Sequence, residues 1–262
     1  MTLLNAAYFD HLFWDGRAKG LLDQALQPIQ SPMEMNAELE VVVERLGNTA
    51  GYGAIFEHVF NSPEVSAERI AQSIASFVRS LVSSRSRLDR FVQGDYERLT
   101  DEEIEGLHLF RTRARCMNCH SGPLFSDGQF HHTGLSYYGR RFEDLGRFHV
   151  TGKAQDRGKF RTPTLRNVRH TGPWMHNGLF DDFTGILRMY NHGITFAARS
   201  KPGAPVLSPL IRPLGLDDRE IAALEAFLDT IGRRPPFVEP PVLPGLAESD
   251  SGAASEFLST GT

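Results

Sequence analysis

The sequence predicts an all-α fold of short amphipathic helices around a long, helix-poor stretch. Three observations predict it. Apolar residues recur at three- and four-residue spacing in several separate segments. No stretch sustains the period of two that a strand needs, and no strand–helix alternation suggests a parallel sheet. Residues 121–180 are dense in Gly, His and aromatic side chains but lack helical period, and a loop of that length in a compact domain is functional or wraps around something.

Each element has its own justification. Leu39, Val42, Val43 and Leu46 predict a helix over 38–46, with Gly47 placed to stop it. Ile70, Ile74, Phe77 and Leu81 predict a second over 67–83. Thr100 and Glu103 form a capping-box pair, opening a helix that turns Ile104, Leu107 and Phe110 inward and leads to the two cysteines. Asp182 caps a helix whose stripe is Phe183, Ile186, Leu187 and Tyr190, so Tyr190 faces the core and Met189 does not. Asp217 and Glu220 open the last helix, with Ile221, Leu224, Leu228 and Ile231 inward and Gly232 at its end. Beyond Arg234 the Pro-, Gly- and Ser-rich tail is expected to be mostly disordered. No internal repeat is present.

Composition narrows the function classes. The 262 residues suffice for one large domain or two small ones, and 40% hydrophobic with 23% charged residues is the balance of a soluble globular protein. The net charge, 28 − 32 = −4, argues against a surface for nucleic acid. No apolar run approaches the roughly 20 residues of a membrane span. The opening MTLLNAAYFDHLFW lacks the basic region and cleavage site of an export signal. Two cysteines are too few for a disulfide framework.

Those two cysteines carry the strongest motif. Cys116-Met117-Asn118-Cys119-His120 has the C-x-x-C-H spacing of covalent haem c attachment, in which two thiols reach two vinyl groups and the next histidine lies beneath the iron. The rivals are a redox dithiol, half a zinc site and an unconnected pair. A redox dithiol wants a strand-to-helix setting that is missing, and zinc needs two further ligands at short spacing. Candidates for a sixth iron ligand are Met175, Met189, Tyr190, His176 and His192. On spacing alone, Tyr190 is either a ligand or a core tyrosine with a satisfied hydroxyl. As a ligand, tyrosinate is hard and anionic and favours more oxidised iron than a thioether does.

Several further stretches together resemble the bacterial dihaem cytochrome c peroxidase and MauG family. They are FWDGRA at 13–18, QALQPIQSPMEM at 24–35, GLHLFRTRARCMNCHSGPLFSD around the cysteines, and FRTPTLRNVRHTGPWMHNGLF at 160–180. The resemblance runs in order over roughly 1–232. It implies an oxidoreductase with a cytochrome c-like helical domain, which here would be 100–232, preceded by a helical segment 1–99 and followed by a tail 233–262.

The resemblance also assigns residues. Cys116, Cys119 and His120 match the attachment and proximal ligation of the family's second haem, and Tyr190 falls at the axial position, methionine in peroxidases and tyrosine in MauG-like members. Trp14 matches a tryptophan between the haems. Gln24 and Glu34 match a peroxide-pocket pair over the family's first haem, an amide that orients peroxide and a carboxylate that exchanges its proton. Thr171 and Pro173 match backbone carbonyls that help hold calcium. Implied partners are hydrogen peroxide and a small c-type cytochrome or cupredoxin donor, or a protein substrate; a homodimer stays open, and the implied compartment is the periplasm.

The chain also departs from the pattern. Family members carry a first C-x-x-C-H and a calcium-binding asparagine upstream of the segment that begins here at Met1. Their lack reads as a truncated frame, with a face of 1–99 left for the missing first-haem domain. The alternative function is a single-haem electron-transfer module or a fragment without peroxidase activity. Among other residues, His131 and His132 are expected to be solvated, His176 to hold a turn, Met175 to be the fallback ligand, and Arg161 and Arg166 to pair with haem propionates or lie on the surface.

Overall fold

The computed structural model describes residues 1–194, 202–235 and 238–245. Helices make up nearly all of its regular structure, and the strands are two-residue pairs, as the all-α prediction requires. The described residues resolve into two units, Met1–Gly20 with Val78–Pro235, and Leu21–Phe77 with 238–245. The first twenty residues therefore group with the segment that carries the cysteines, and the division falls inside 1–99 rather than at its end. The sequence-predicted disorder of the tail lies mostly outside the described residues.

In the unit centred on Leu21–Phe77, α1 (Gly20–Gln30) buries Leu21, Ala25 and Ile29 at four-residue steps and ends just after Pro28. Pro28 has no N–H to give to the preceding turn, so the helix stops soon after it. Next come α2 (Leu39–Asn48), α3 (Tyr52–Phe60) and α4 (Ala67–Ser80). The α2 stripe Leu39, Val42, Val43 and Leu46 is half-buried as its spacing predicts, although the helix runs one residue past Gly47. α4 corrects the sequence expectation. Its buried positions are Ile70, Ala71, Ala75 and Val78, while Phe77 is 52% exposed and the helix ends before Leu81. Steps of four from Ile70 reach Val78, and Phe77 stands one position off that line.

In the other unit, β1 (His11–Leu12) pairs antiparallel with β2 (Ala18–Lys19), and β3 (Phe130–His131) with β4 (Phe160–Arg161). Two capped helices follow α4 in the chain. α5 (Arg87–Val92) opens on a Ser86/Asp89 capping box, and α6 (Asp101–Arg111) on the predicted Thr100/Glu103 box. α6 buries Glu103, Gly106, Leu109 and Phe110, leaving Ile104 at the surface instead of inward. Beyond the single turn α7 (Phe148–Thr151) lie α8 (Phe183–Asn191) and α9 (Asp218–Thr230), the latter opened by the predicted Asp217/Glu220 box.

α6 packs on α9, and the contact depends on Gly106. A Cβ there would collide with the Ala223 carbonyl and the Phe227 side chain, so glycine sets how close the helices come. Phe227 and Leu224 from α9, and Ile231 just past its end, are almost fully buried, with Phe110 5.1 Å from Phe227 between ring centres. Burying one such side chain contributes about 2–3 kcal/mol. Arg113 clamps the same pair by reaching Glu220 and the Gly215 carbonyl. Among the described residues no helix is long and apolar enough to cross a membrane.

Candidate functional site

α6 delivers the chain to the cysteine motif. After the helix, Arg115 adopts a left-handed conformation (φ 57°) and donates to the carbonyls of Arg212 and Pro213. Cys116–Asn118 then forms a single 3₁₀ turn, in which the amides of Cys119 and His120 both reach the Cys116 carbonyl. The turn aims both thiols and the imidazole into one cavity of about 260 Å³. Burial pushes the Cys116 thiol up to about 12 and the Cys119 thiol up to about 11, so both stay protonated at neutral pH. An active redox dithiol needs the opposite shift.

The His120 ring meets two backbone carbonyls, Phe125 at 3.0 Å from Nδ1 and Pro163; with Nδ1 as the donor to Phe125, Nε2 carries the ring's lone pair. Burial lowers its pKa, which favours the neutral ring. Phe125 itself is left-handed (φ 52°), and the loop around it is tied down by Thr164 Oγ1 to the Leu124 carbonyl (2.6 Å) and Ser126 Oγ to the Thr162 carbonyl (2.7 Å). Arg166 adds a hydrogen bond to the Pro123 carbonyl and a two-pronged pair with Asp89 at 2.6 and 2.8 Å. Arg166 is thus structural, and its guanidinium is spoken for.

α8 supplies another part of the wall. Asp182 caps it through the Gly185 amide, and Tyr190 lines the cavity, with its hydroxyl pushed to a higher pKa by burial and by the nearby thiols. Met189 differs from expectation, because it is 7% exposed rather than turned outward. It packs with Leu135 and Ile194 in a small cluster and does not itself line the cavity. Both sides of the last α8 turn are covered, which a single stripe cannot foresee. Met175, left-handed at φ 67°, lines the cavity as well, whereas His192 is exposed.

Of the two histidines expected to be solvated, His132 is buried and His131 half-buried. The β3–β4 pairing draws them inward. His131 Nε2 lies 2.8 Å from Asp127, and with Cys119 they place three metal-type donor atoms within 4.8 Å. His132 is 2% exposed, its Nδ1 2.8 Å from the Gly158 carbonyl. His176 stacks on Phe160 (3.6 Å, 15°) and meets Trp14 edge-on at 6.4 Å. Burial first, against the opposing charge of Asp144, brings its pKa down to about 4, so it is neutral at ordinary pH. A structural ring fits this better than a ligand.

A c-type haem fits these residues. The cavity wall is largely apolar, with Phe110, Leu165, Val168, Phe183, Leu187 and Leu224, and it brings two protonated thiols, an imidazole and a phenol to one space. Trp14, Thr171 and Pro173 also line it, and neither the Thr171 nor the Pro173 carbonyl accepts a hydrogen bond among the described residues. Arg161 is buried on the same wall with an unpartnered Nε. Gln24, half-buried on α1, and Glu34, exposed in the turn after it, belong to the other unit and do not line this cavity.

Comparison with known proteins decides the family. The model of the family described as di-haem cytochrome c peroxidase matches residues 1–97. The methylamine utilization protein MauG of Methylorubrum extorquens is 36% identical over 245 residues, covering 92% of this chain and 66% of that protein. The cytochrome-c peroxidase IdrP1 of Pseudomonas sp. (strain SCT) is 32% identical over 274 residues, covering 93% and 70%. The chain belongs to the dihaem cytochrome c peroxidase and MauG family. A crystal structure of a MauG-like protein associated with microbial copper homeostasis superposes with a TM-score of 0.76 at 30% identity, covering 88% of this chain and 74% of that one.

As a member of this family of haem oxidoreductases, the chain spans about two thirds of the length of its relatives. Sequence reasoning missed three contributors to the site. Asp89 is the partner of Arg166, Asp127 holds His131, and Arg115 anchors the turn before Cys116. The Ser86 to Asp89 spacing was a readable cap signal; no local pattern marks the other two.

Proposed function

We propose that this chain carries a covalent haem c on Cys116 and Cys119, with His120 as proximal ligand and Tyr190 as sixth ligand, and takes part in peroxide-driven oxidation of a partner protein. The observation that supports it is the convergence of the two thiols, the His120 imidazole and the Tyr190 hydroxyl on one cavity. When bound, the haem supplies one-electron redox chemistry at its iron. The chain's residues do the rest. Tyr190 as phenolate presents a hard anionic oxygen, which favours oxidised iron and hence oxidation of a partner over simple electron carriage.

Trp14 offers an aromatic ring at the cavity edge, and its carbonyl is fixed by the Arg161 amide at 2.8 Å. Gln24 and Glu34, which do not line this cavity, would serve a separate peroxide site over the family's first haem, where the amide would orient hydrogen peroxide and the carboxylate would take up one of its protons and return it to the departing oxygen. The free carbonyls of Thr171 and Pro173 suit calcium, which prefers oxygen donors. The proposed compartment is the periplasm, and the proposed donor a small c-type cytochrome or cupredoxin.

A haem stain with intact mass should find one covalent haem per chain after expression with an export leader and maturation machinery. Protein without haem under those conditions sinks the proposal. Tyr190→Phe should alter the ferric absorption spectrum; an unchanged spectrum removes Tyr190 as ligand. The single cysteine pair also supports a second reading, a one-haem electron-transfer module. Peroxide-dependent turnover that falls at least tenfold in Glu34→Gln favours the enzyme, and its absence in the haem-loaded chain favours the module.

A further inference from the structure

Arg161 stands apart from the other arginines around the cavity. Its backbone is fixed on both sides, paired with Phe130 across β3–β4 and bonded through its amide to the Trp14 carbonyl. The residue is 3% exposed. Its guanidinium lies over the Phe9 ring at 4.3 Å, touches the Met1 sulfur, and reaches the Thr162 carbonyl only at 3.5 Å. No carboxylate among the described residues pairs with it, and Nε has no partner at all. Arg166 is already satisfied by Asp89; Arg115 gives one terminal nitrogen to two carbonyls and keeps its own Nε unpartnered, but it is only half-buried.

A guanidinium removed from water without an anion is strongly disfavoured, and the planar fork is shaped for a carboxylate. Arg161 remains largely protonated at neutral pH even though burial lowers its pKa to about 10. A buried cation without an anion on the wall of a largely apolar cavity therefore indicates the charge of whatever fills that cavity. The group must bring a carboxylate with it.

We infer that Arg161 is the counter-charge for a propionate carboxylate of the haem, a positioning residue that fixes the macrocycle's orientation and raises its reduction potential. The inference rests on the haem reading above. A positive charge paired beside the macrocycle favours the reduced, less positive state of the iron. Removing it should lower the potential.

The test is the midpoint potential of the haem-loaded chain in wild type, Arg161→Gln and Arg161→Lys. Arg161→Gln should shift the one-electron equilibrium on the order of tenfold toward the oxidised form, about 59 mV lower. Arg161→Lys, which keeps the charge and loses the fork, should recover most of that shift. Equal potentials in wild type and Arg161→Gln with haem present overturn the inference, as does a Lys variant shifted as far as the Gln variant.

Should either variant fail to take up haem, a crystal structure of the wild-type holoprotein carries the test. A propionate oxygen at about 3 Å from Arg161 supports the inference. A guanidinium facing only solvent ions, or a different carboxylate, overturns it. Absence of haem from the wild type overturns the haem reading and this inference together; haem in place without the pairing overturns this one alone.

Discussion

The α6–α9 pair and the 121–180 segment both wall the cavity, but different forces shape them. In α6 and α9 local signals and packing agree: a capping box opens each helix, and Gly106 lets Phe110 and Phe227 close on one another. In the segment, shape comes from side chains bonded to distant carbonyls and from left-handed residues. Phe125, Tyr137, Asn167 and Met175 all have positive φ without being glycine, each at a cost on the order of 1 kcal/mol. Thr164, Ser126 and Arg166 hold the strained path in place. The helix pair is specified by its own sequence, whereas the segment is specified by what it touches.

The largest expected effect separates the two regions cleanly. Cys116→Ser with Cys119→Ser should abolish covalent haem in the stain while far-ultraviolet circular dichroism of the apoprotein keeps its helical signal. Loss of the helices together with the haem would show that the pair depends on the cavity being filled. The converse is Gly106→Val. Its side chain has to enter space held by the Ala223 carbonyl, so it should destabilise the fold by about 3 kcal/mol and lower Tm by roughly 6–12 °C. A change under about 2 °C in thermal unfolding would deny the close approach of α6 and α9.

Legibility in the sequence follows the same divide. Thr100/Glu103, Asp182 and Asp217/Glu220 were readable because a cap and its stripe lie within a few residues. C-x-x-C-H was readable because one cofactor fixes its spacing. Burial of His132 against the Gly158 carbonyl, the pairing of Arg166 with Asp89 and the solitude of Arg161 were not, since each depends on residues far away in the chain. The exposure of Phe77 and Ile104 is not legible either, because an apolar side chain on a helix says nothing about which neighbour covers it.

Two smaller effects sharpen the comparison. Burial tends to raise the pKa of Asp89, but hydrogen bonds from Arg166 and Ser86 outweigh it and hold it at about 2. With an unfolded value near ~3.9, the contribution of the pair is complete above about pH 4 and lost as pH falls toward 2. Asp89→Asn should therefore cost about 2 kcal/mol at pH 7 in urea unfolding. The gap from wild type should narrow through that acid window; a pH-independent gap would assign the loss to the α5 cap alone. Smallest is Arg188→Ala. Its pair with Asp218 is 57% and 89% exposed, so the change should stay within about 0.5 kcal/mol.

Continuity between α6 and the Cys116 turn has a consequence for the order of assembly. The capped helix and the turn are neighbours in sequence, so the thiols and His120 can be arrayed early by contacts that close only short loops. Tyr190 and Arg161 reach the cavity through contacts between residues far apart in the chain, which form later because their closure costs more entropy. The local array of thiols and imidazole therefore costs little closure entropy, whereas the opposite wall that Tyr190 and Arg161 supply depends on long closures.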